Sequence, residues 1–227
     1  MPLKKSEGRF TLEEIRKNPK VNTYIEGADV QLDAIGYTEH GFRHAGRVGE
    51  TALEILSKLG YGDDESELAS LAGYLHDIGN VVCRLNHGQT GALIAKEILE
   101  DIGLETNKVV TIMSAIGNHE EETGEPTNPV SAALIIADKT DVHRSRVRNP
   151  KMVSFDIHDR VNYAVTESSL SIDPYERNIT LHLRIDTQIS QVMEYFEIFL
   201  SRMLLCRRAA RFLESGFQLV INDMRMS

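Results

Sequence analysis

Apolar residues recur at every third and fourth position through the first two thirds of the chain, a period that predicts one helix after another. Between Gly41 and Leu59 the stripe is Val48, Ala52, Ile55, Leu56 and Leu59. Gly60 and Gly62 end that helix, and Asp63, Asp64 and Glu65 open the next one, where carboxylates suit the positive helix start. This second helix carries Leu68, Leu71, Ala72 and Leu75 up to the adjacent His76 and Asp77, with Gly79 expected to break it. A third begins near His87 and runs through Ala92, Leu93, Ala95, Ile98 and Leu99, and a fourth covers Leu104–Ile116. The span Asn128–Arg148 reads as one more helix, with Ala132, Ala133, Leu134, Ile135 and Ile136 as its buried body and Asp138 at its exit. Upstream, Thr11 with Glu14 three residues later is a capping box. Pro19 suits the first turn of a helix that reaches about Ile35. Residues 1–38 are expected to form a lid or packing arm without chemistry of its own.

After Asn149–Pro150 the pattern changes. Ile179–Ile185 alternates apolar and polar positions, as a half-buried strand does, and Glu167–Ile172 is its expected partner across the turn at residues 173–178. A long helix is expected over Asp186–Glu214, then a further strand over Phe217–Ile221. In that helix Val192, Phe196, Phe199, Met203, Cys206, Ala210 and Leu213 form a heptad-like seam. Ile198, Leu200, Leu204 and Leu205 widen the apolar surface beyond it. Either the helix packs on its own small sheet or the surplus covers a partner subunit, and a homodimer is the favoured expectation. The expected fold class is mainly α: a helical bundle over residues 1–150 and a small α+β appendage over 151–227, a possible dimerisation element.

A chain of 227 residues suits one large domain, or a domain with an appendage, and buries a substantial core without staples. Its formal charge of −9 argues against a general nucleic-acid or anionic-membrane surface. No apolar run approaches the roughly 18 residues of a membrane span, and the first ten residues lack the apolar core of a signal peptide. Cys83 and Cys206 give no disulfide framework. A cytoplasmic location and no membrane partner are therefore expected, with Cys83 read as a small buried hydrophobe.

The candidate chemistry sits at the helix ends. A buried carboxylate is costly unless it is paired or bound to a cation, which makes His76–Asp77 the place to look for a metal. His44, His87, His119 and Asp138 each border the same apolar core at the end of a predicted helix. His-Asp alone is a common dipeptide and a lone helix-end histidine is usually a cap, but the recurrence points to a shared site. His40 is read as a surface or entrance residue, and His158 and His182 are assigned no role.

The order His44, His76–Asp77, His87, His119, Asp138 resembles the H…HD…H…H…D pattern of the HD-domain metal-dependent phosphohydrolases, over roughly Thr38–Arg148. The resemblance implies an HD-domain helical bundle. It also implies a dinuclear site with Asp77 bridging, His44, His76 and Asp138 on one metal, and His87 and His119 on the other. Imidazoles and carboxylates without a thiolate suit Fe or Mn, with Co, Ni or Zn also compatible. Two such ions clamp a phosphoryl group and activate a water. The implied reaction is hydrolysis of a phosphoester or phosphoanhydride. A nucleotide is the leading substrate, because bacterial HD hydrolases of diadenosine tetraphosphate share the six-ligand arrangement.

Lys139, Arg144 and Arg148 follow Asp138, and Arg144 and Arg148 would share a helix face; with Arg47 and Asn80 they are the expected substrate contacts. Asp77, Lys139 and Arg144 are the expected catalytic groups. Arg47 either orients a carboxylate or meets a phosphate. Asn80 stands where the family often has Lys, which removes a phosphate-binding cation. The acidic loop Glu120–Glu122 followed by Gly124-Glu125-Pro126 faintly resembles that of the HD-GYP phosphodiesterases. Asn118 in place of the first His, and the missing Tyr, point away from cyclic dinucleotides. Two other classes stay open: a regulatory module that binds a nucleotide or metal without turnover, and an interaction protein whose metal only staples helices.

Overall fold

The computed structural model describes residues 10–150 and 156–226. The packing arm comprises α1 (Leu12–Ile15) and α2 (Pro19–Ala34). The Thr11 amide donates to the Glu14 carboxylate at 2.9 Å, and Asn18 caps α2 through the Lys20 amide. Val21, Ile25, Ala28 and Leu32 fall on one face of α2 and are buried.

The bundle consists of α3 (Phe42–Lys58), α4 (Asp63–Leu75), α5 (His87–Asp101), α6 (Thr106–Gly117) and α7 (Pro129–Lys139). Helices α3 and α4 cross in backbone contact: a Cβ added to Gly73 would lie 2.8 Å from the Gly49 Cα. Only hydrogen at both positions permits that approach, and it brings the His44 end of α3 close to the His76 end of α4. Helix α7 is the central element, with every residue from Val130 to Ala137 buried.

Helix α7 ends at Lys139 rather than continuing to Arg148. Beyond Ala137 the apolar period stops, and Thr140 and Asp141 are buried polar groups with partners elsewhere. A short 3₁₀ turn, Arg144–Arg146, follows. Arg144 and Arg148 therefore do not share a helix face, a correction to the sequence reading.

A helix that the sequence reading did not foresee, α8 (Ile157–Ala164), opens on Asp156, whose side chain accepts from the His158 and Asp159 amides. The sheet runs β1 (Val165–Asp173), β2 (Asn178–Ile185), β3 (Gly216–Ile221), β4 (Met224–Arg225) in that order. Strands β1 and β2 are antiparallel, with Leu170 opposite Leu181 and Ile172 opposite Ile179. Strand β3 is parallel to β2, reached through α9 (Val192–Phe212). Residues 186–191 form a turn instead of the expected first turns of α9, because Gln191 and Glu194 make the capping box there.

Helix α9 packs on α7 as well as on β3, so it belongs to the bundle's core and not to its own sheet alone. Phe199, Met203, Leu205, Cys206 and Ala210 are buried, while Leu200 and Leu204 stay exposed. Cys83 is exposed, contrary to the sequence reading, because the chain leaves the core after the 3₁₀ turn at Ile78–Val81. No helix among the described residues is long and apolar enough to cross a membrane.

Candidate metal centre

His44 sits in the first turn of α3, His76 and Asp77 directly follow α4, and His87 begins α5. His119 follows α6, and Asp138 lies in the last turn of α7. The structure brings all six together. His44 Nε2 lies 3.3 Å from His76 Nε2 and 3.4 Å from Asp138 Oδ1. His87 Nε2 lies 3.1 Å from His119 Nε2. Asp77 stands between the two pairs: Oδ2 is 3.3 Å from His76 Nε2, and Oδ1 is 3.2 Å from His87 Nε2.

One glycine makes this arrangement possible. A Cβ on Gly79 would lie 2.0 Å from the His87 carbonyl oxygen and 2.5 Å from the Gly91 amide nitrogen. The turn after Asp77 and the start of α5 are thus in backbone contact, which places His87 against Asp77.

The hydrogen bonds on the far side of each ring fix what the near side offers. His76 Nδ1 meets the Gly73 carbonyl at 2.8 Å, His87 Nδ1 the Arg84 carbonyl at 3.0 Å, and His119 Nδ1 the Ile116 carbonyl at 2.6 Å. A carbonyl oxygen only accepts, so each Nδ1 carries the proton, and in the neutral ring Nε2 is then a bare lone pair. His44 Nδ1 meets the Asp141 carboxylate at 2.7 Å, with the same result. Two pairs of facing lone pairs and two carboxylates repel one another unless a proton or a cation lies between them. Donors bonded to one ion at about 2.0–2.2 Å are separated by roughly 3.0–3.5 Å, and the separations here fall at or close to that range. The donor set therefore fits a divalent transition metal, and its atoms form three overlapping groups: His44 with His76 and Asp77, His76 with His119 and Asp138, and Asp77 with His87 and His119.

The charge states agree with that fit. Burial opposes ionisation of Asp77, but His76 and the hydrogen bonds from His76 and His87 outweigh it, holding the carboxyl well below the usual range. Asp138 is likewise held down against burial, by Lys139 and then by His44 and His76. Burial, with the neighbouring His76, pushes His119 well below the usual imidazole value. Burial also lowers His76, yet the charges of Asp77 and Asp138 and the hydrogen bond to Asp77 prevail and raise it.

Behind the cluster, Asp141 is the group the sequence reading missed. Fully buried, it accepts from His44 and from both terminal nitrogens of Arg43, at 3.3 and 2.9 Å, and lies 3.8 Å from Arg146 Nε. His44 and Arg146 hold its carboxyl well below the usual range although burial opposes them. The available signal was its place three residues after Asp138 at a helix end.

The expected substrate contacts are placed unevenly. Lys139 Nζ is 2.6 Å from Asp138 Oδ2, at the cluster but already paired. Arg47 Nε faces Asp141 at 3.4 Å, and Arg47 donates to the Ser168 carbonyl, so it meets a carboxylate on the outer side of His44. It lines, with Arg16, Arg43 and His143, a shallow basin of about 740 Å³ that contains none of the six cluster residues. Arg144 lies over the Tyr163 ring at 5.2 Å, and Arg148 pairs with Asp29. Asn80 donates to the Asp77 backbone carbonyl and to Oδ1, both at 2.9 Å.

A second cavity of about 320 Å³ is likewise lined by none of the six, and by neither Arg144 nor Arg148, but it borders the cluster through His40 and Arg84. Its walls include Tyr37, His40, Arg84, Arg146, Phe199 and Arg202. The His40 ring is 5.3 Å from that of His44, and Arg84 Nη1 is 3.4 Å from His87 Nε2. Sequence reasoning found neither Arg84 nor Arg202.

Residues 41–143 match the family model described as "HD domain". An uncharacterized protein of Methanocaldococcus jannaschii is 31% identical over 174 residues; the match covers 66% of this chain and spans just under two thirds, 66%, of that relative's length. No solved structure matches the chain. The match over 41–143 takes in all six clustered side chains, so the whole donor set falls inside the matched segment. On the match and the cluster together, residues 41–143 of this chain are an HD domain.

Proposed function

We propose that the chain is a metal-dependent phosphohydrolase that cleaves a phosphoester or phosphoanhydride bond, with a nucleotide as the leading substrate class. The observation that carries the reading is the convergence of four imidazole Nε2 lone pairs with two ionised carboxylates next to an arginine-lined cavity. Metal donors alone suit a structural staple; guanidinium groups beside them suit a phosphoryl group.

His44, His76, Asp77, His87, His119 and Asp138 would hold the metal, with two ions and a bridging Asp77 as the favoured division, since its two oxygens face different histidine pairs. A divalent metal bound there would lower the pKa of water and polarise the phosphoryl oxygen. Asp141 holds His44 in the tautomer that presents Nε2. Lys139 fixes Asp138 and offsets part of the carboxylate charge. His40, neutral because burial pushes it well below the usual imidazole value, borders the cavity without adding to its charge.

The experiment is phosphate release from a nucleotide panel by protein loaded with Mn²⁺ or Fe²⁺, with Asp77→Ala alongside and bound metal quantified in both. Asp77→Ala is expected to lose metal and turnover together. A metal-replete, active Asp77→Ala protein would overturn the site. Metal-replete wild type without turnover on any phosphate ester or anhydride would overturn the hydrolase reading.

A further inference from the structure

The chain lacks a Lys after Gly79, and the structure shows what lies in its place. Asn80 Oδ1 accepts from Arg84 Nη1 at 3.2 Å, while the Asn80 amide group donates to Asp77. The Arg84 guanidinium is thereby drawn to the Asp77–His87 side of the cluster and packs over the Tyr37 ring at 5.1 Å. No hydrogen bond or ion pair to a carboxylate engages Arg84 among the described residues.

The other cations of the same cavity are committed. Arg146 is buried, donates to the Glu39 and Asp141 carbonyls, and lies near the Asp141 carboxylate. Arg202 Nε meets Glu121 at 2.8 Å, and the guanidinium lies over the Phe199 ring at 4.5 Å. The α8 segment also lines the cavity, with Asp156, Asp159, Asn162 and His158, whose Nδ1 lies 3.7 Å from Asp156. A carboxylate wall repels a second phosphate and accepts hydrogen bonds from hydroxyl or amino groups. At about 320 Å³ the cavity is near the lower end, roughly 300 Å³, of small-molecule pockets.

We propose that Arg84, aimed by Asn80, is the phosphate-binding cation of this site, and that the cavity it shares with α8 and α9 takes a compact phosphomonoester with a hydroxylated body. One uncommitted cation serves one phosphate. The body lies between the half-open Tyr37 side and the acidic wall, which suits a nucleoside monophosphate or a sugar phosphate and disfavours a polyphosphate. Hydrolysis breaks the ester P–O bond, adds the water oxygen to phosphorus, and returns the proton to the leaving alcohol. The α+β segment is then the specificity wall of the site. The inference rests on the proposed hydrolase reading for its substrate, but the role of Arg84 is tested by binding alone.

The test is calorimetric titration of inorganic phosphate into the full chain loaded with Mn²⁺, for wild type, Arg84→Ala and Arg84→Lys, with metal content and circular dichroism of each. Loss of a charge-assisted bond is expected to weaken phosphate binding about 10- to 100-fold in Arg84→Ala at unchanged metal content, with partial retention in Arg84→Lys. Equal affinity in wild type and Arg84→Ala, or no phosphate binding by metal-loaded wild type, overturns the role of Arg84. If Arg84→Ala fails to fold, the comparison with Arg84→Lys decides: undiminished affinity there, with the planar fork lost, overturns it. Phosphate bound through Arg84 without turnover would leave this role standing while the hydrolase reading fails. Release from nucleoside monophosphates at higher kcat/KM than from the matching triphosphates supports the substrate class, and the reverse order overturns it.

Discussion

Asp141→Asn separates the orientation of His44 from its presence. The carboxylate is buried and meets His44 Nδ1 at 2.7 Å and Arg43 Nη2 at 2.9 Å. An amide of the same shape keeps one acceptor oxygen but loses the charge that favours the Nδ1–H tautomer and strengthens Nε2 as a donor. Loss of such an outer partner lowers metal affinity by about 10- to 100-fold. With metal at about 100 times the wild-type Kd, binding stabilises the wild type by about 2.7 kcal/mol. In the variant the same metal concentration gives about 1.4 kcal/mol for a tenfold loss and about 0.4 kcal/mol for a hundredfold loss. The metal-induced rise in Tm should therefore shrink by roughly 3–9 °C, at about 2–4 °C per kcal/mol for a chain of this size. Melting with chelator measures the separate cost of leaving Arg43 and Arg146 beside a neutral group, about 1.5–3 kcal/mol. The acid limb supplies a further check. The folded-state pKa of Asp141 is depressed, so its contribution is present above the unfolded value of about 3.9 and is lost as pH falls below that value through the folded one. Asp141→Asn should flatten the chelated protein's loss of stability in that acid window. Chelator-competition affinity within twofold of wild type, with Tm lowered equally with and without metal, would refute the orienting role and leave Asp141 a structural group.

Three further outcomes follow from the same geometry. Gly79→Ala should destabilise the fold by several kcal/mol and lower metal content, because the added Cβ meets the His87 carbonyl at 2.0 Å; a thermal melt within about 2 °C of wild type would contradict that contact. Chelation should lower Tm by an amount that grows with pH: the folded pKa of His76 is raised, so its proton stabilises the metal-free protein below about 6.5 and is lost as pH rises through the folded value, where metal no longer competes with it. Metal-induced stabilisation that stays flat across that window would count against a proton on His76. Arg148→Ala should leave metal content unchanged while lowering Tm by a few degrees, since Arg148 pairs with Asp29 and donates to the Tyr37 carbonyl behind the cavity wall; loss of metal with unchanged Tm would return it to the site.

The helical bundle and the six clustered residues were legible because they obey local rules. The 3.6-residue period located α3 to α7, and histidines at helix ends marked where polar side chains converge on the core. What stayed hidden was non-local. Helix α7 was overextended because Lys139 to Arg148 carries no strong breaker before Asn149–Pro150; the chain turns there to bury Asp141 against His44, a pairing 97 residues apart. Helix α8 escaped notice because it has only 8 residues, too few for the period of Ile157, Val161 and Ala164 to repeat. Gly79 was read as a helix breaker, whereas its role is to let the His87 carbonyl approach. Arg84 lay in plain sight four residues after Asn80, but the sequence said only that a cation was missing at 80.

The position of α9 accounts for why the bundle and the α+β segment work as one unit. His119 has no helix beneath it, following α6 on a loop that runs to α7. That loop is tied at three of its acidic residues. Glu120 accepts from the Gly88 amide at 2.7 Å, and Glu121 meets Ser201 and Arg202 of α9. Further along, Glu125 pairs with Arg208 of the same helix. The acidic residues that resembled a cyclic-dinucleotide loop thus act as straps, one to the start of α5 and two to α9. Because α9 also buries Phe199, Met203 and Cys206 against the core beside α7, the straps anchor to the rigid part of the fold. A site side chain on a loop needs such support to hold its position within about half an ångström. The same helix presents Arg202 and Phe199 to the cavity, so one element both steadies His119 and shapes the space where a substrate would lie.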